Sequence, residues 1–424
     1  MADIRPFRGI RYSVDRVGDL DKVITQPYDK VTPELKQDYL GRHENTYVKL
    51  ILPDGKDRYK ASGELCSKWL AHGVLERDDK PALYVYHQEF SVGDLHTTRK
   101  GFIGVFRVDE FEKGTVLPHE RTLSKAKADR LDLTRASRKD FEQIFMLYSD
   151  PERKVDALLA PTGDPDITGT DDFGVVHRVW TLTDEDRIRT VQEKMKDMVL
   201  LIADGHHRYE TALTFRQEIE AKDPGLSPDA ALRFKTAAFV NVADPGLVIF
   251  PTHRLVKNLE ADWDQRRTAF ADCFDMTEVA DAEAEAKLKA AGSQAFVLHL
   301  GKGRSWLMKL KDKECVDRYV EAGRSSDYKD LDVTILHSVI IENLLGISKE
   351  QIEDHIKYER EAEKAMARVD SAEFQACFLM NPTRVEQVQT LSAKGERMPQ
   401  KSTDFYPKLI SGLVFHDIAA EETV

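Results

Sequence analysis

Met198-Val199-Leu200-Leu201-Ile202-Ala203-Asp204-Gly205-His206-His207-Arg208-Tyr209-Glu210-Thr211-Ala212 is the stretch on which the reading of this chain turns. An apolar run, Met198 to Ala203, gives way at Asp204-Gly205 to an amphipathic one, Tyr209 to Ile219, and predicts a strand, a tight turn and a helix start. The first turn of a helix carries N–H groups with no intrahelical partner at the positive end of the dipole. A glycine followed by basic side chains is therefore an anion seat, and phosphate is the anion expected. Gly205 can take φ > 0 and lets a ligand approach the backbone, Arg208 offers a bidentate fork, and His206 and His207 add donors or a proton acceptor. Adjacent helical side chains diverge by about 100°, so one histidine of the pair is expected to face the ligand. The plainer alternative is a solvated strand-to-helix corner. Zinc is a weaker alternative, because the pair lacks the i, i+4 spacing of helical zinc ligands and has no cysteine pair nearby.

Composition bounds the class. At 424 residues the chain exceeds one typical core and implies two or three domains, or one with large insertions. A formal charge of −12 argues against general nucleic-acid binding, which rests on an excess of Lys and Arg, although a local basic cleft around Arg208 is compatible with it. The four cysteines, Cys66, Cys273, Cys315 and Cys377, show neither Cys-x-x-Cys spacing nor a regular framework, which points to a reducing cytosol. The amino terminus lacks an apolar signal core, and no run reaches the roughly 18 apolar residues of a membrane helix. The expected location is cytoplasmic, with no membrane partner.

Along the chain there is no internal repeat and no low-complexity segment. Pro33 to Gly41 and Asp57 to His72 read as helices, and Pro81 to Phe90 and Lys100 to Val108 as strands around a hairpin loop at Gly93 to His96. Lys125 to Phe145 reads as charged helix with Leu131, Leu133, Phe141 and Ile144 inward, and Asp150 to Asp172 as surface loop. A strand at Val175 to Leu182, a helix at Asp184 to Asp197 and a strand at Phe234 to Val242 surround the central stretch. Beyond Pro251, helices are expected at Leu259 to Cys273 and Ala280 to Ala291, then a hairpin at Phe296 to Lys309. Amphipathic helices are expected at Asp332 to Leu345 and Tyr358 to Arg368, and short strands at Phe374 to Met380 and Gly412 to His416. The fold class is mixed α/β. The expected division is a phosphate-binding core over residues 1–245, an α+β insertion or second domain over 246–330, and a helical segment with terminal strands completing the core over 331–424.

Two other constellations suit chemistry, and two shorter segments offer candidate contacts. His119-Glu120 with Thr122, followed by Lys125, Lys127, Asp129 and Arg130, suits a general base for a hydroxyl nucleophile or a Mg²⁺ ligand; the alternative is a solvated, helix-capping loop. In Gly395 to Lys408, Lys401-Ser402-Thr403 echoes the end of a phosphate loop without its glycines. Lys401, two hydroxyls and Lys408 could clamp phosphates there and Phe405 or Tyr406 could stack on a base, or the aromatics simply pack. Tyr28-Asp29, in the turn Gln26-Pro27-Tyr28-Asp29, and Arg254, in Pro251-Thr252-His253-Arg254, are candidate substrate contacts, against the commoner roles of helix cap and salt bridge.

Residues 203 to 212, Ala-Asp-Gly-His-His-Arg-Tyr-Glu-Thr-Ala, resemble the Gly-x-x-Arg box of the ParB and sulfiredoxin superfamily, whose nucleotide phosphates lie on that helix start. With Ile4 to Gly9, Gln26 to Asp29, His43 to Leu50, Leu117 to Thr122, Pro251 to Arg254 and Met398 to Lys408, the chain resembles the domain of unknown function 1015 family, often labelled SpoOJ/ParA/ParB/RepB family protein. Sulfiredoxin chemistry depends on a cysteine where His206 stands, so that activity is not expected. The resemblance implies a nucleotide-dependent phosphotransferase acting on a small hydroxyl-bearing metabolite, with free L-serine the best single guess. It also implies ATP or ADP as cofactor, CTP as an alternative, and Mg²⁺. In that reading Asp204 to Arg208 and Lys401 to Thr403 hold the nucleotide, and Glu120, with His119, takes the substrate proton. A phosphatase or nucleotide hydrolase at the same seat, or a nucleotide-gated ParB-like switch, is the alternative.

Overall fold

In the computed structural model, which describes residues 1–120, 124–260, 262–419 and 421–424, with the backbone alone for 124–126, the expected strand, turn and helix are formed by Leu200–Asp204, Gly205 and His206–Lys222. The chain divides into two compact units. The first comprises Met1–Pro118, Thr122–Val248 and Pro407–Val424, and the second His119–Arg121 and Ile249–Tyr406.

The first unit is built on a mixed sheet of nine strands. Its order is Val116–Leu117, Leu200–Asp204, Ile144–Tyr148, Phe234–Asn241, Leu95–Arg107, Leu83–Val92, Val176–Leu182 and Ile167–Thr170, and Ile4–Arg5 adds to Leu95–Arg107. The pairings of Leu200–Asp204 with Val116–Leu117 and of Phe234–Asn241 with Ile144–Tyr148 are parallel, and the others antiparallel. Central strands are buried throughout: all eight residues of Phe234–Asn241 and all five of Ile144–Tyr148 are buried, as strands covered on both faces require. Phe102 stacks on Phe239 at 4.9 Å between ring centroids, and Tyr209 of the long helix stacks on Phe106 at 6.0 Å and Phe111 at 4.9 Å. The helix following Gly205 thereby docks on the sheet that launches it.

The second unit holds a six-stranded antiparallel sheet, ordered Phe274–Val279, Ser305–Leu310, Ala295–His299, Ala376–Met380, His253–Val256 and Ile356–Glu359. Leu288, Val297, Ala365, Val369, Cys377 and Leu379 pack in its core.

Several expectations need correcting. Residues 331–406 belong to the second unit rather than completing the first, because Ala376–Met380 pairs between Ala295–His299 and His253–Val256; only Pro407–Val424 returns to the first unit. Asp332 to Leu345 is one α-turn followed by a π-helix, Ile335–Leu344. Ile335 to His337 and Val339 to Ile341 are buried on it, so it is enclosed on more than one side. The Tyr358 end of the expected helix is instead strand Ile356–Glu359, taken up by pairing with His253–Val256, and the helix starts at Ala362. Asp150 to Asp172 contains helix Lys154–Leu158 and strand Ile167–Thr170, and the helix expected from Leu259 spans only Trp263–Phe270, capped by Asp262. Phe141 and Ile144 lie beyond helix Ser124–Ser137, Ile144 opening a strand, and the terminal strand is the two-residue His416–Asp417. Cys273 and Cys315, expected unpaired, form a disulfide, brought together by the strand after Cys273 and the helix Lys313–Tyr319.

Phe239→Ala should cost about 3–5 kcal/mol by emptying the centre of the first sheet, read as a lower midpoint in urea unfolding of the full chain; a loss below about 1 kcal/mol would place the core elsewhere.

Candidate functional site

Gly205 takes φ +97°, a left-handed conformation that a side chain would strain, and a Cβ there would lie 3.0 Å from Arg208 Nε. The turn thus needs glycine twice over, for its backbone and for the guanidinium packed above it. Having no side chain, Gly205 cannot cap the first turn of the helix itself.

Arg208 is buried and already engaged: Nη2 donates to Asp204 Oδ2 at 2.6 Å and Nη1 to the carbonyl of Gln143 at 2.5 Å. Lys408 Nζ lies 3.5 Å from Asp204 Oδ1. Burial alone would raise the Asp204 carboxyl, but the nearby charges of Lys408, Arg208, Lys30 and His206 outweigh it and hold the group well below the usual carboxylate range. Asp204 in turn holds Arg208 above its ordinary value against burial. His207 is lowered, first by burial and then by Lys127 and Arg208 against Glu210 and Asp29, so near neutral pH it is an uncharged ring with one donor and one acceptor.

A second layer places these groups. Glu142, buried, accepts from Tyr28 N and from Ser411 Oγ, both at 3.0 Å, and Arg130 lies over the Tyr28 ring at 4.3 Å. The expected substrate turn Tyr28-Asp29 is therefore tied beside the residue, Gln143, whose carbonyl anchors Arg208. Asp29 is exposed and near enough to Arg208 to raise it electrostatically. Lys408 is set by two buried side chains: Arg99 donates to Gln88 Oε1 at 2.9 Å and to the Pro407 carbonyl at 2.6 Å, and Gln88 Nε2 donates to the Lys408 carbonyl at 2.9 Å. Arg99, Gln88, Glu142, Gln143 and Lys408's place beside Asp204 were not read from the sequence. Little in the sequence signals them: Gln88 stands between His87 and Glu89 and Arg99 between Thr98 and Lys100, polar stretches that do not announce burial.

The remaining candidates lie in the second unit and meet one another there. His119 Nε2 is 2.9 Å from Thr403 Oγ1, Glu120 Oε1 accepts from Ser402 N at 3.1 Å, and Met398 N donates to the His119 carbonyl. Arg254, fully buried, donates to the Lys401 carbonyl at 2.9 Å, to His337 Nε2, to the Thr252 carbonyl and to Met380 sulfur. Burial pulls its pKa down to about 10. Its donors are committed, so in place of an open substrate contact the structure has a clamp on Lys401, a non-glycine residue at φ +58°. Ser402 Oγ donates to the Pro399 carbonyl, and Phe405 and Tyr406 are buried, Tyr406 against Phe250 and Arg360. The aromatics pack; they present no open face to a base. Lys408, grouped with Lys401 by sequence, belongs to the other unit. Thr122 lies outside the described residues, as does the side chain of Lys125. Lys127 pairs with Glu210 at 2.5 Å. Among the described residues no cluster of three or more His, Cys, Asp or Glu side chains is arranged to hold a metal ion, and no helix is long and apolar enough to cross a membrane.

A family model described as a protein of unknown function, DUF1015, matches residues 4–334. No curated protein matches the chain. Among solved structures, a free serine kinase in complex with AMP is similar at 16% identity and TM-score 0.36, covering 73% of this chain and 90% of its own. A conserved hypothetical protein from Pyrococcus furiosus is similar at 16% identity and TM-score 0.36, over 73% and 94%. SbnI with a C-terminal truncation, from Staphylococcus aureus, is similar at 12% identity and TM-score 0.34, over 74% and 86%. At these TM-scores the likeness carries no argument.

Two predictions follow from the geometry. A carboxyl whose folded pKa is depressed adds stability above its unfolded pKa of about 3.9, and that stability is lost as pH falls toward the folded value. Asp204→Asn should therefore be less stable than wild type at pH 7 yet lose less stability on acidification from about pH 5 to pH 3, measured by urea unfolding; parallel curves for the two proteins would contradict the charge assignment. Glu120→Gln keeps an oxygen able to accept from Ser402 N, so an anchoring role predicts a change within about 0.5 kcal/mol, whereas loss of turnover at unchanged stability would mark Glu120 as a proton acceptor.

Proposed function

Starting from the fact that this chain belongs to the DUF1015 family of proteins of unknown function, we propose that the turn Asp204 to Arg208 seats the phosphates of ATP or ADP and that the protein transfers a phosphoryl group to a small hydroxyl-bearing metabolite. The observation that carries the proposal is the helix start at Gly205 beside the charges of Lys408, Arg208 and Lys30, together cationic enough to hold a partly buried Asp204 ionised. The likeness of the box to that of ParB and sulfiredoxin proteins, and free L-serine as the acceptor, belong to the same proposal and rest on the sequence resemblance.

In this reading the first-turn N–H groups bind phosphate oxygens, and Arg208, held by Gln143 and Asp204, shifts one arm of its fork from Asp204 to the transferring group. Phosphoryl transfer is dominated by positioning and electrostatic stabilisation, which is what a preset guanidinium and oriented amides supply. Mg²⁺, when bound, would neutralise phosphate charge, and Asp204 would offer it a carboxylate oxygen once Arg208 turns toward the phosphate. His207, uncharged, can donate to a phosphate oxygen without adding charge.

Phosphorus NMR of the purified protein with Mg²⁺ and ATP, ADP or CTP, with and without a panel of amino acids including L-serine, tests the proposal. Transfer only in the presence of an acceptor is expected. Acceptor-independent phosphate release would instead indicate a hydrolase or a nucleotide-gated switch, and no nucleotide interaction would overturn the seat. Arg208→Lys keeps the buried charge and loses the fork, so it should fold while turnover falls about 10²-fold or more. Arg208→Ala is a poorer probe, because Asp204 loses its closest partner and the buried carbonyl of Gln143 its donor.

A further inference from the structure

On the first unit a cleft of about 400 Å³ opens between the hairpin strands Leu83–Val92 and Leu95–Arg107 and the segment from Arg153 to Pro161. That volume falls in the range of about 300–1,000 Å³ typical of small-molecule sites. One wall is aliphatic, made by Val85, Ala157, Leu159 and Pro161. The polar lining is His87, Lys100, Arg153 and Asp156, two cations against one carboxylate in a chain whose formal charge is −12.

The cations are positioned and not fully used. Among the described residues the Lys100 ammonium makes no hydrogen bond or ion pair, although its backbone N–H donates to Asp244 Oδ1. Arg153, at φ +54° before the helix Lys154–Leu158, spends Nε on Asp156 at 2.8 Å and sets Nη2 3.7 Å from Asp244, leaving Nη1 without a protein partner among the described residues. Asp156 is fixed from behind by Tyr148 Oη at 3.1 Å. The His87 ring is half-buried against the edge of Trp180, 4.9 Å between centroids, with no hydrogen bond to its nitrogens among the described residues. Burial first, then Lys100 and Arg178, hold it down at about 4, so at neutral pH it offers one N–H and one acceptor.

The cleft is also stiff. Arg187 donates to the carbonyls of Leu158 at 3.0 Å and Ala160 at 3.0 Å, and Trp180 Nε1 to that of Gly163 at 3.1 Å, so the aliphatic wall is pinned by its backbone. A ligand entering here meets a preset wall and loses little to ordering the protein.

The geometry points to this cleft as a second ligand site, separate from the phosphate seat, for a small organic anion whose carboxylate or phosphate group lies between Lys100 and Arg153 and whose short aliphatic body lies on Val85, Leu159 and Pro161. His87 hydrogen-bonds the same ligand. The two binding elements match the two halves of such a molecule. A bare inorganic anion would leave the aliphatic wall unused, and a neutral or cationic metabolite would leave Lys100 unpaired.

The test uses the full chain labelled with ¹⁵N-histidine, following the His87 ring by NMR while succinate, inorganic phosphate or putrescine is added to about 10 mM. Succinate is expected to shift the His87 signals saturably, phosphate weakly and putrescine not at all, and Lys100→Gln should weaken the succinate response at least about tenfold. Lys100 is exposed and its side chain holds nothing, so the variant should fold, which the unchanged remaining histidine signals would verify. No shift with succinate in the wild type, or an equal response in Lys100→Gln, would overturn the assignment. Because the readout is local to His87 and needs no nucleotide, its failure leaves the phosphate seat untouched, and failure of the seat leaves this site untouched.

Discussion

A buried guanidinium cannot be left unpaired, and in the first unit that constraint fixes the candidate site. Arg208 projects from the first turn of its helix back over the glycine that precedes it, where it meets the carboxylate ending the strand and the carbonyl of Gln143 on a neighbouring segment. Strand, turn and helix are thereby tied into one rigid corner by a pair whose disruption costs roughly 3–5 kcal/mol in comparable buried cases. The same corner favours glycine at 205, since its φ of +97° strains a side chain and a Cβ would crowd the guanidinium.

Charge then propagates outward from that corner. Asp204 draws Lys408, which is carried on a terminal segment that Arg99 and Gln88 hold by its backbone carbonyls. Glu142, next to the Gln143 anchor, collects the Tyr28 amide and the Ser411 hydroxyl. Thr25 and Ser411 complete the junction through paired backbone hydrogen bonds. Segments distant in sequence, near residues 28, 142, 206 and 408, are gathered because each supplies a donor or acceptor that another would otherwise leave buried and unmet. A site built this way is preorganised: its dipoles and charges are aimed before any ligand arrives, which is the property that electrostatic stabilisation of a phosphoryl group requires.

The second unit solves a parallel problem with different residues. Among the described residues Arg254 has no carboxylate within ion-pair distance and disposes its donors on carbonyls, an imidazole and a thioether, so its role is to hold the Lys401 loop in a left-handed conformation that lysine would not choose. The π-helical turn that carries His337 belongs to the same arrangement: the widened winding places the histidine against Arg254 while keeping its apolar neighbours inside.

Local chemistry written in consecutive residues was legible in the chain alone. The apolar run to Ala203, the Asp-Gly step and the amphipathic run after Tyr209 determined the strand, turn and helix; alternation determined the hairpin strands, and the mixed α/β class followed. What the chain could not declare were choices made by partners remote in sequence. Ile356–Glu359 is a strand because an edge needed pairing, the Asp332 helix continues as a π-helix that apolar periodicity does not announce, and Cys273 meets Cys315 because two elements bring them together. Lys408, read from sequence as a phosphate ligand, and Arg254, read as a substrate contact, were placed by tertiary structure in an ion pair with Asp204 and in a backbone clamp. The physical reason is common to all of these. Propensity and periodicity act through neighbours one or two turns away, whereas the requirement that every buried charge, amide and strand edge find a partner is met only when the whole chain has folded around it.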